Sequence, residues 1–231
     1  KNSMRKKINL GNNISFKAGE TWSFNNSVVK NFDKHILSSI PQYKDIQNYI
    51  ADISEWFLKE NSRVYDIGCS TSNTTYAISL KNKNKLNFVC IDISKKMLEV
   101  SKKKLNLFKK NNYKFLCSDI CKIKKLKKHD LSLCILTLPF LTDEKKISLL
   151  KKIYKSLNKN GALIVVDKIY SDFAMSENIF NQVYYDFKLN SFTQKQILDK
   201  AKTLRSSMKL KTNKENIDLF KKSGFTKYEI F

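Results

Sequence analysis

The sequence predicts an α/β fold, a mainly parallel sheet with helices on both faces. Two observations predict it. Short runs with the pattern of buried strands alternate with segments whose apolar residues recur at helical spacing, between about residues 42 and 167. Such alternation is the sequence form of strands joined by helical crossovers, which must cover both faces of a parallel sheet. A chain of 231 residues, 42% hydrophobic, can also enclose one large core.

Residues 1–20 are polar without a period and are expected to form an arm. Ile46, Tyr49, Ile50, Ile53, Trp56 and Phe57 mark a helix over residues 42–60. Val64–Ile67 is a first strand, ending in Gly68-Cys69-Ser70, and residues 74–80 are a helix. Phe88–Ile91 is a second strand ending at Asp92. Ser94 then caps a helix whose apolar side carries Met97, Leu98, Leu105 and Phe108. A third strand starts at Lys114 and ends at Ser118-Asp119-Ile120, and a fourth spans residues 131–138. The helix of residues 144–157 is expected to stop at Asn160-Gly161, before a fifth strand over residues 162–167. Residues 173–223 are mainly helical and interrupt the alternation, as a lid over the carboxyl edge of the sheet would. Phe225–Phe231 is expected to be a sixth strand. There is no repeat and no Pro- or Gly-rich linker, so residues 21–231 are expected to be a single domain.

The formal charge of +23 would ordinarily suggest nucleic acid. The only arginines, however, are Arg5, Arg63 and Arg205. The lysines travel with asparagines, as in Lys81-Asn82-Lys83-Asn84-Lys85, which is the composition of an AT-rich genome. Sequence-specific readers favour arginine for its planar fork, so no specific nucleic-acid binding is expected, only loose polyanion attraction at low salt. No apolar run approaches the roughly 20 residues that cross a bilayer. The longest, Leu131–Leu141, is broken by Pro139. No membrane partner and a cytoplasmic location are expected. The five cysteines, Cys69, Cys90, Cys117, Cys121 and Cys134, sit in or beside apolar segments, as buried reduced thiols do. Neither they nor the isolated His35 and His129 make a metal site, and His129, closing a lysine run, is expected at the surface.

Asp66, Asp92 and Asp119 each end or follow an apolar run, so all three are expected at the carboxyl edge of the sheet. One such Asp is usually a cap or a turn residue. Three at successive strand ends, the first in the turn Asp66-Ile67-Gly68-Cys69-Ser70, point instead to a ligand. Gly68 allows close backbone approach, and a carboxylate at Asp92 can accept from both hydroxyls of a ribose. Asp119 can accept from an adenine amino group while Ile120 packs on the ring. No second turn glycine is present for a pyrophosphate and there is no P-loop, so a nucleoside without phosphates is expected.

These motifs resemble those of class I methyltransferases, and more closely those of the carboxy-S-adenosylmethionine synthase family. The resemblance is carried by Thr21-Trp22-Ser23-Phe24, Ile40-Pro41-Gln42-Tyr43, Val64–Ser70 with Ser70 in place of the usual last glycine, Cys90-Ile91-Asp92, Thr137–Leu141, Leu157–Leu163 and Asp186-Phe187-Lys188. It implies a Rossmann-like class I methyltransferase fold with a helical lid. It also implies S-adenosylmethionine or its carboxylated form as cofactor without a metal, prephenate as second substrate, a homodimer, and a product used in tRNA wobble-uridine modification. By position, Tyr43 and Gly68-Cys69-Ser70 would line the methionine part, Asp92-Ile93 the ribose side and Asp119-Ile120 the adenine side. Lys168 would meet the prephenate carboxylates, and Tyr184-Tyr185 stands where the family tends to carry aromatic or imidazole groups.

Two positions depart from the family. Ile135 stands where the family has an Asn in strand four, and Ala201 where it has the Arg that binds the new carboxylate. Arg205, one helical turn on, is the candidate replacement. The departures leave open an ordinary methyltransferase of another acceptor, or an inactive S-adenosylmethionine-binding homologue. The resemblance further implies a final strand after residue 231, which this sequence lacks.

Overall fold

The structure, a computed structural model, describes residues 26–231. The arm of residues 1–20 and the Thr21–Phe24 motif lie outside the described residues. The described chain divides into two compact units, one of Lys44–Tyr170 with Lys209–Phe231, the other of the residues up to Tyr43 with Ser171–Met208.

The larger unit holds a five-stranded, wholly parallel sheet of β1 (Arg63–Ile67), β2 (Asn87–Asp92), β3 (Asn112–Cys117), β4 (His129–Ile135) and β5 (Leu157–Val166). The order β3-β2-β1-β4-β5 means that the chain builds outward from β1, then jumps back to its other side. Such a reversal opens a crevice at the carboxyl ends of β1 and β4. The period of two along β1 divides the core. Val64 joins Phe88, Cys90, Leu131 and Leu133 on one face, against Ile50 and Ala51 of α2 (Tyr43–Ser54), Ala77 and Ile78 of α3 (Asn73–Lys81), and Leu98 and Leu105 of α4 (Lys95–Leu105). Tyr65 and Ile67 face the other side with Val89, Ile91 and Cys134. There they meet Leu149, Leu150 and Ile153 of α5 (Asp143–Ser156) and Leu219 of α8 (Asn213–Lys222). Ser94 caps α4 as its sequence predicts, its hydroxyl accepting the Met97 N–H at 3.3 Å.

Five expectations are corrected. Strand four ends at Ile135, because Leu136 turns into the left-handed region (φ 56°) and Leu138–Phe140 form a 3-10 turn around Pro139. Helix α5 stops at Ser156, and Asn160-Gly161 lies inside β5, where Leu157 pairs with His129 and Ala162 with Leu131 across a register shift. Asn160 takes φ 68° at that irregularity. Residues 225–231 form no strand, although the Phe225 ring packs edge-on to Tyr154 at 5.2 Å. His129 is fully buried: its Nε2 meets the Ser132 hydroxyl at 2.7 Å, its ring stands against Tyr65, and burial holds its pKa below the ordinary value. Cys69, Cys90 and Cys134 are buried as expected, but Cys117 is exposed and Cys121 half-buried.

The smaller unit is helical: α1 (Asn26–Ser39), α6 (Ala174–Leu189) and α7 (Gln194–Ser207). A capping box starts α7, the Thr193 hydroxyl taking the Gln196 N–H while the Gln196 side chain accepts the Thr193 N–H. Lys200 of α7 donates to His35 of α1, and burial drives both groups toward their neutral forms, to about 7 and about 3. The helical stretch expected over 173–223 is therefore split, since α8 belongs to the larger unit.

Candidate active site

The carboxyl edge of the sheet collects most of the residues that the sequence singles out. Asp66 closes β1 at 2% exposure, and its Oδ2 accepts the Thr75 hydroxyl at 2.6 Å. Burial raises its pKa to about 6, with Thr75 opposing the rise and the nearby Asp92 adding to it. After Asp66 the chain turns sharply. Gly68 takes φ +70°, and its N–H and that of Cys69 both donate to the Ile91 carbonyl of β2, at 2.8 and 3.0 Å. Any Cβ on Gly68 would lie 2.5 Å from Thr137 Oγ1. Only glycine combines that conformation with that approach.

Two more residues of this turn, Ser70 (φ 50°) and Ser72 (φ 59°), also lie in the left-handed region, as does Leu136 after β4. Each non-glycine residue held there costs about 1–3 kcal/mol, and such strain gathers at ligand sites. Asp92 supplies part of the restraint. Its Oδ2 accepts the Ser70 N–H and its Oδ1 the Ser94 N–H, both at 2.8 Å. The carboxylate thus pins the β1 turn to the start of α4, and burial raises its pKa. The Ile93 N–H acts on the same carboxylate.

The remaining predicted residues fall as follows. Cys69 is buried, and its thiol is pushed up by its hydrogen bond with Cys90 and by burial. Ile93, next to Asp92, is 69% exposed. Asp119 caps the short turn Ile120–Lys122 by accepting the Cys121 N–H at 2.8 Å, while Ile120 is buried in the second core. Ile135 is half-buried against the first core. Lys168 follows β5 and is exposed. Tyr43, the first residue of α2, and Arg205 of α7 belong to the smaller unit.

Sequence reasoning passed over two residues here. Thr137 bridges β1 and β4, its hydroxyl lying 2.9 Å from the Ile67 carbonyl and 3.2 Å from that of Ile135. Asp167 follows β5, and its buried Oδ1 meets no hydrogen-bond partner. Burial pushes its pKa up to about 8 against the pull of Lys146 and of the Thr137 N–H. Asp167 ends an apolar strand just as Asp66 and Asp92 do, so its signal was in the sequence. Thr137 carries no such mark. Among the described residues no group of three His, Cys, Asp or Glu side chains could hold a metal.

A reversed parallel sheet with a glycine turn after β1 and an acidic residue after β2 defines the Rossmann-like fold of class I methyltransferases. Solved structures share it. The pyocyanin biosynthetic protein PhzM superposes with a TM-score of 0.62 at 16% identity, over 92% of this chain and 58% of that one. Human N-acetylserotonin methyltransferase in complex with S-adenosylmethionine does so at 0.58 and 14%, over 88% and 50%. The methyltransferase-domain family matches residues 58–223. Similar curated proteins are carboxy-S-adenosyl-L-methionine synthases. That of Staphylococcus epidermidis is 35% identical over 88% of this chain and 89% of its own, and that of Helicobacter pylori 33% identical over 89% and 87%. The chain belongs to the carboxy-S-adenosyl-L-methionine synthase family, within the methyltransferase-domain proteins, and is an S-adenosylmethionine-dependent transferase.

Two outcomes follow from this geometry. Gly68→Ala should lower stability by roughly 1–3 kcal/mol, since it adds left-handed strain to a clash with Thr137; urea denaturation measures it, and an unchanged midpoint would contradict the close approach. Asp66 has a folded pKa above its ordinary 3.8, so folding binds its proton. Its unfavourable contribution is absent below about pH 4, grows toward about pH 6 and is constant above. The stability of Asp66→Asn should therefore vary less than that of the wild type across that interval, as thermal melts at each pH would record.

Proposed function

We propose that the protein is a carboxy-S-adenosylmethionine synthase that uses prephenate. The observation that carries the reading is the joining of Asp92 to the Gly68–Ser70 turn, a preorganised cradle for a nucleoside without phosphates, in a chain whose similar curated proteins bear that name. In this reading Asp92 accepts from the ribose hydroxyls, and the exposed Ile93 lies beside it on the ribose side. The Gly68-Cys69-Ser70 backbone lies along the methionine part, Asp119-Ile120 borders the adenine, and Ile135 takes the place of the family's Asn. Lys168 meets a prephenate carboxylate. The roles of Tyr43 and Arg205, and a homodimer, rest on the resemblance alone. S-adenosylmethionine supplies a methyl group whose C–H bonds the positive sulfonium makes acidic. Overall, a methyl C–H bond is exchanged for a C–C bond to the carbon dioxide that prephenate releases. The methyl proton and the hydroxide lost from prephenate leave as water, with phenylpyruvate the other product. No helix among the described residues is long and apolar enough to cross a membrane; a cytoplasmic location belongs to the same reading. The product would serve tRNA wobble-uridine modification through a separate enzyme.

Ile135 and Ala201 favour a second reading, methyl transfer to another acceptor, because the family's Asn and carboxylate-binding Arg are absent. The mass of the nucleoside that co-purifies separates the two. A ligand heavier than S-adenosylmethionine by one carbon dioxide, together with phenylpyruvate formed from prephenate, selects the synthase. Unmodified ligand without prephenate turnover selects the second reading.

Two variants test the residues. Asp92→Ala should weaken S-adenosylmethionine binding by about 1.5–3 kcal/mol, the worth of a charged hydrogen bond; unchanged affinity in calorimetry would remove the ribose assignment. Arg205→Ala should lose the carboxylated ligand and keep S-adenosylmethionine. Equal binding of both ligands before and after the change would make Arg205 a surface residue.

A further inference from the structure

Three parallel strands meet around Thr137. Its hydroxyl reaches the carbonyls at the ends of β1 and β4, its side chain fills the space over Gly68, and its backbone N–H is directed at the Asp167 carboxyl group at the end of β5. Asp167 is thus one residue removed from the glycine turn, at the crevice where ligands of such sheets bind. Its Oδ1 is buried and meets no partner. An acid in ordinary structural service would have both oxygens satisfied. A buried carboxyl with one oxygen idle beside a cradle is free to respond to what the cradle holds.

We propose that Asp167 is a specificity-determining residue of this edge, one whose protonated carboxyl group admits an anionic substituent beside the Gly68–Thr137 contact and whose carboxylate excludes it. The inference rests on the reading above, in which substrate and product differ at the sulfonium by a single carboxylate. S-adenosylmethionine brings a positive centre there, and the product places a negative group one bond further out. A second negative charge in a partly buried crevice is poorly screened and repels such a group. Neutral, Asp167 adds no repulsion and can donate a hydrogen bond.

The groups around Asp167 leave its charge adjustable. From the turn after β4 it receives the Thr137 N–H, and from α5 it faces Lys146. Lys146 is committed elsewhere: its ammonium donates to the Lys209 carbonyl at 2.7 Å and lies 3.9 Å from Asp143, with Lys211 and Glu215 also acting on it. Asp66 shares its surroundings, both carboxyls acting on the buried Cys134 thiol, which is driven well above its ordinary value. Lys168 follows in the chain and is exposed. Burial outweighs these attractions, so Asp167 exchanges its proton near pH 8, whereas Asp66 does so near 6.

The sign follows by linkage. A ligand that prefers protonated Asp167 loses affinity as pH rises through about 8, and one whose sulfonium bears no carboxylate does not. The test is calorimetric titration of the full chain with S-adenosylmethionine and with its carboxylated form, from about pH 6.5 to about pH 9.5. The ratio of the two dissociation constants cancels titration of the amino-acid end that both ligands share. In the wild type this ratio should move against the carboxylated ligand by about tenfold, the weight of one pKa unit of coupling. In Asp167→Asn, which stays uncharged, it should hold within about twofold. A flat wild-type ratio overturns the proposal without any variant, and an equal slope in Asp167→Asn overturns it too. Should neither ligand bind at any pH, the reading of the site falls with it; should both bind with a flat ratio, only the role of Asp167 falls.

Discussion

The close contact between Gly68 and Thr137 is the constraint on which the site depends. It occurs where the strand order reverses, so the turn leaving β1 and the turn leaving β4 share one crowded space. Gly68 yields that space by having no side chain, and Thr137 uses it to tie the ends of the two strands with one hydroxyl. The left-handed residues on both sides, Ser70, Ser72 and Leu136, persist because this contact and Asp92 leave the backbone little choice.

The electrostatics of the edge follow from its geometry. Carboxyl groups at the ends of neighbouring parallel strands are brought close to one another and away from water. Burial therefore raises Asp66, Asp92 and Asp167 together. Hydrogen bonds then separate them. Asp92 is held by backbone N–H groups and Asp66 by Thr75, while Asp167 keeps an idle oxygen and departs furthest from the ordinary range. A net charge of +23 over the whole chain does not prevent this, because the lysines lie mostly at the surface, where water and salt screen them.

Membership of the synthase family and the fold are consistent with each other, but they constrain different things. The fold is shared at under 20% identity with proteins that include human N-acetylserotonin methyltransferase, so it does not by itself say which group is transferred. What distinguishes members of this family must lie in side chains around the crevice.

Much of this was legible in the sequence. Strand periodicity placed β1, β2 and β3, and the Ser94 cap placed α4, because burial and capping are local consequences of residue type. The carboxyl-edge position of Asp66 and Asp92 followed from the strands alone. Other features were settled only by tertiary structure. His129 reads as a surface residue in a lysine run, yet Tyr65 and Ser132, distant or out of phase in sequence, enclose it. Asn160-Gly161 has the form of a helix stop, but pairing of β5 with β4 claimed it for the sheet. Residues 225–231 have strand composition, yet they pair with no strand among the described residues. Thr137 acquires its role from Gly68, about seventy positions earlier, and no local pattern reports that two turns will meet. Local rules set which segments become strands and helices; only the order in which the sheet assembles decides which of their ends share a site.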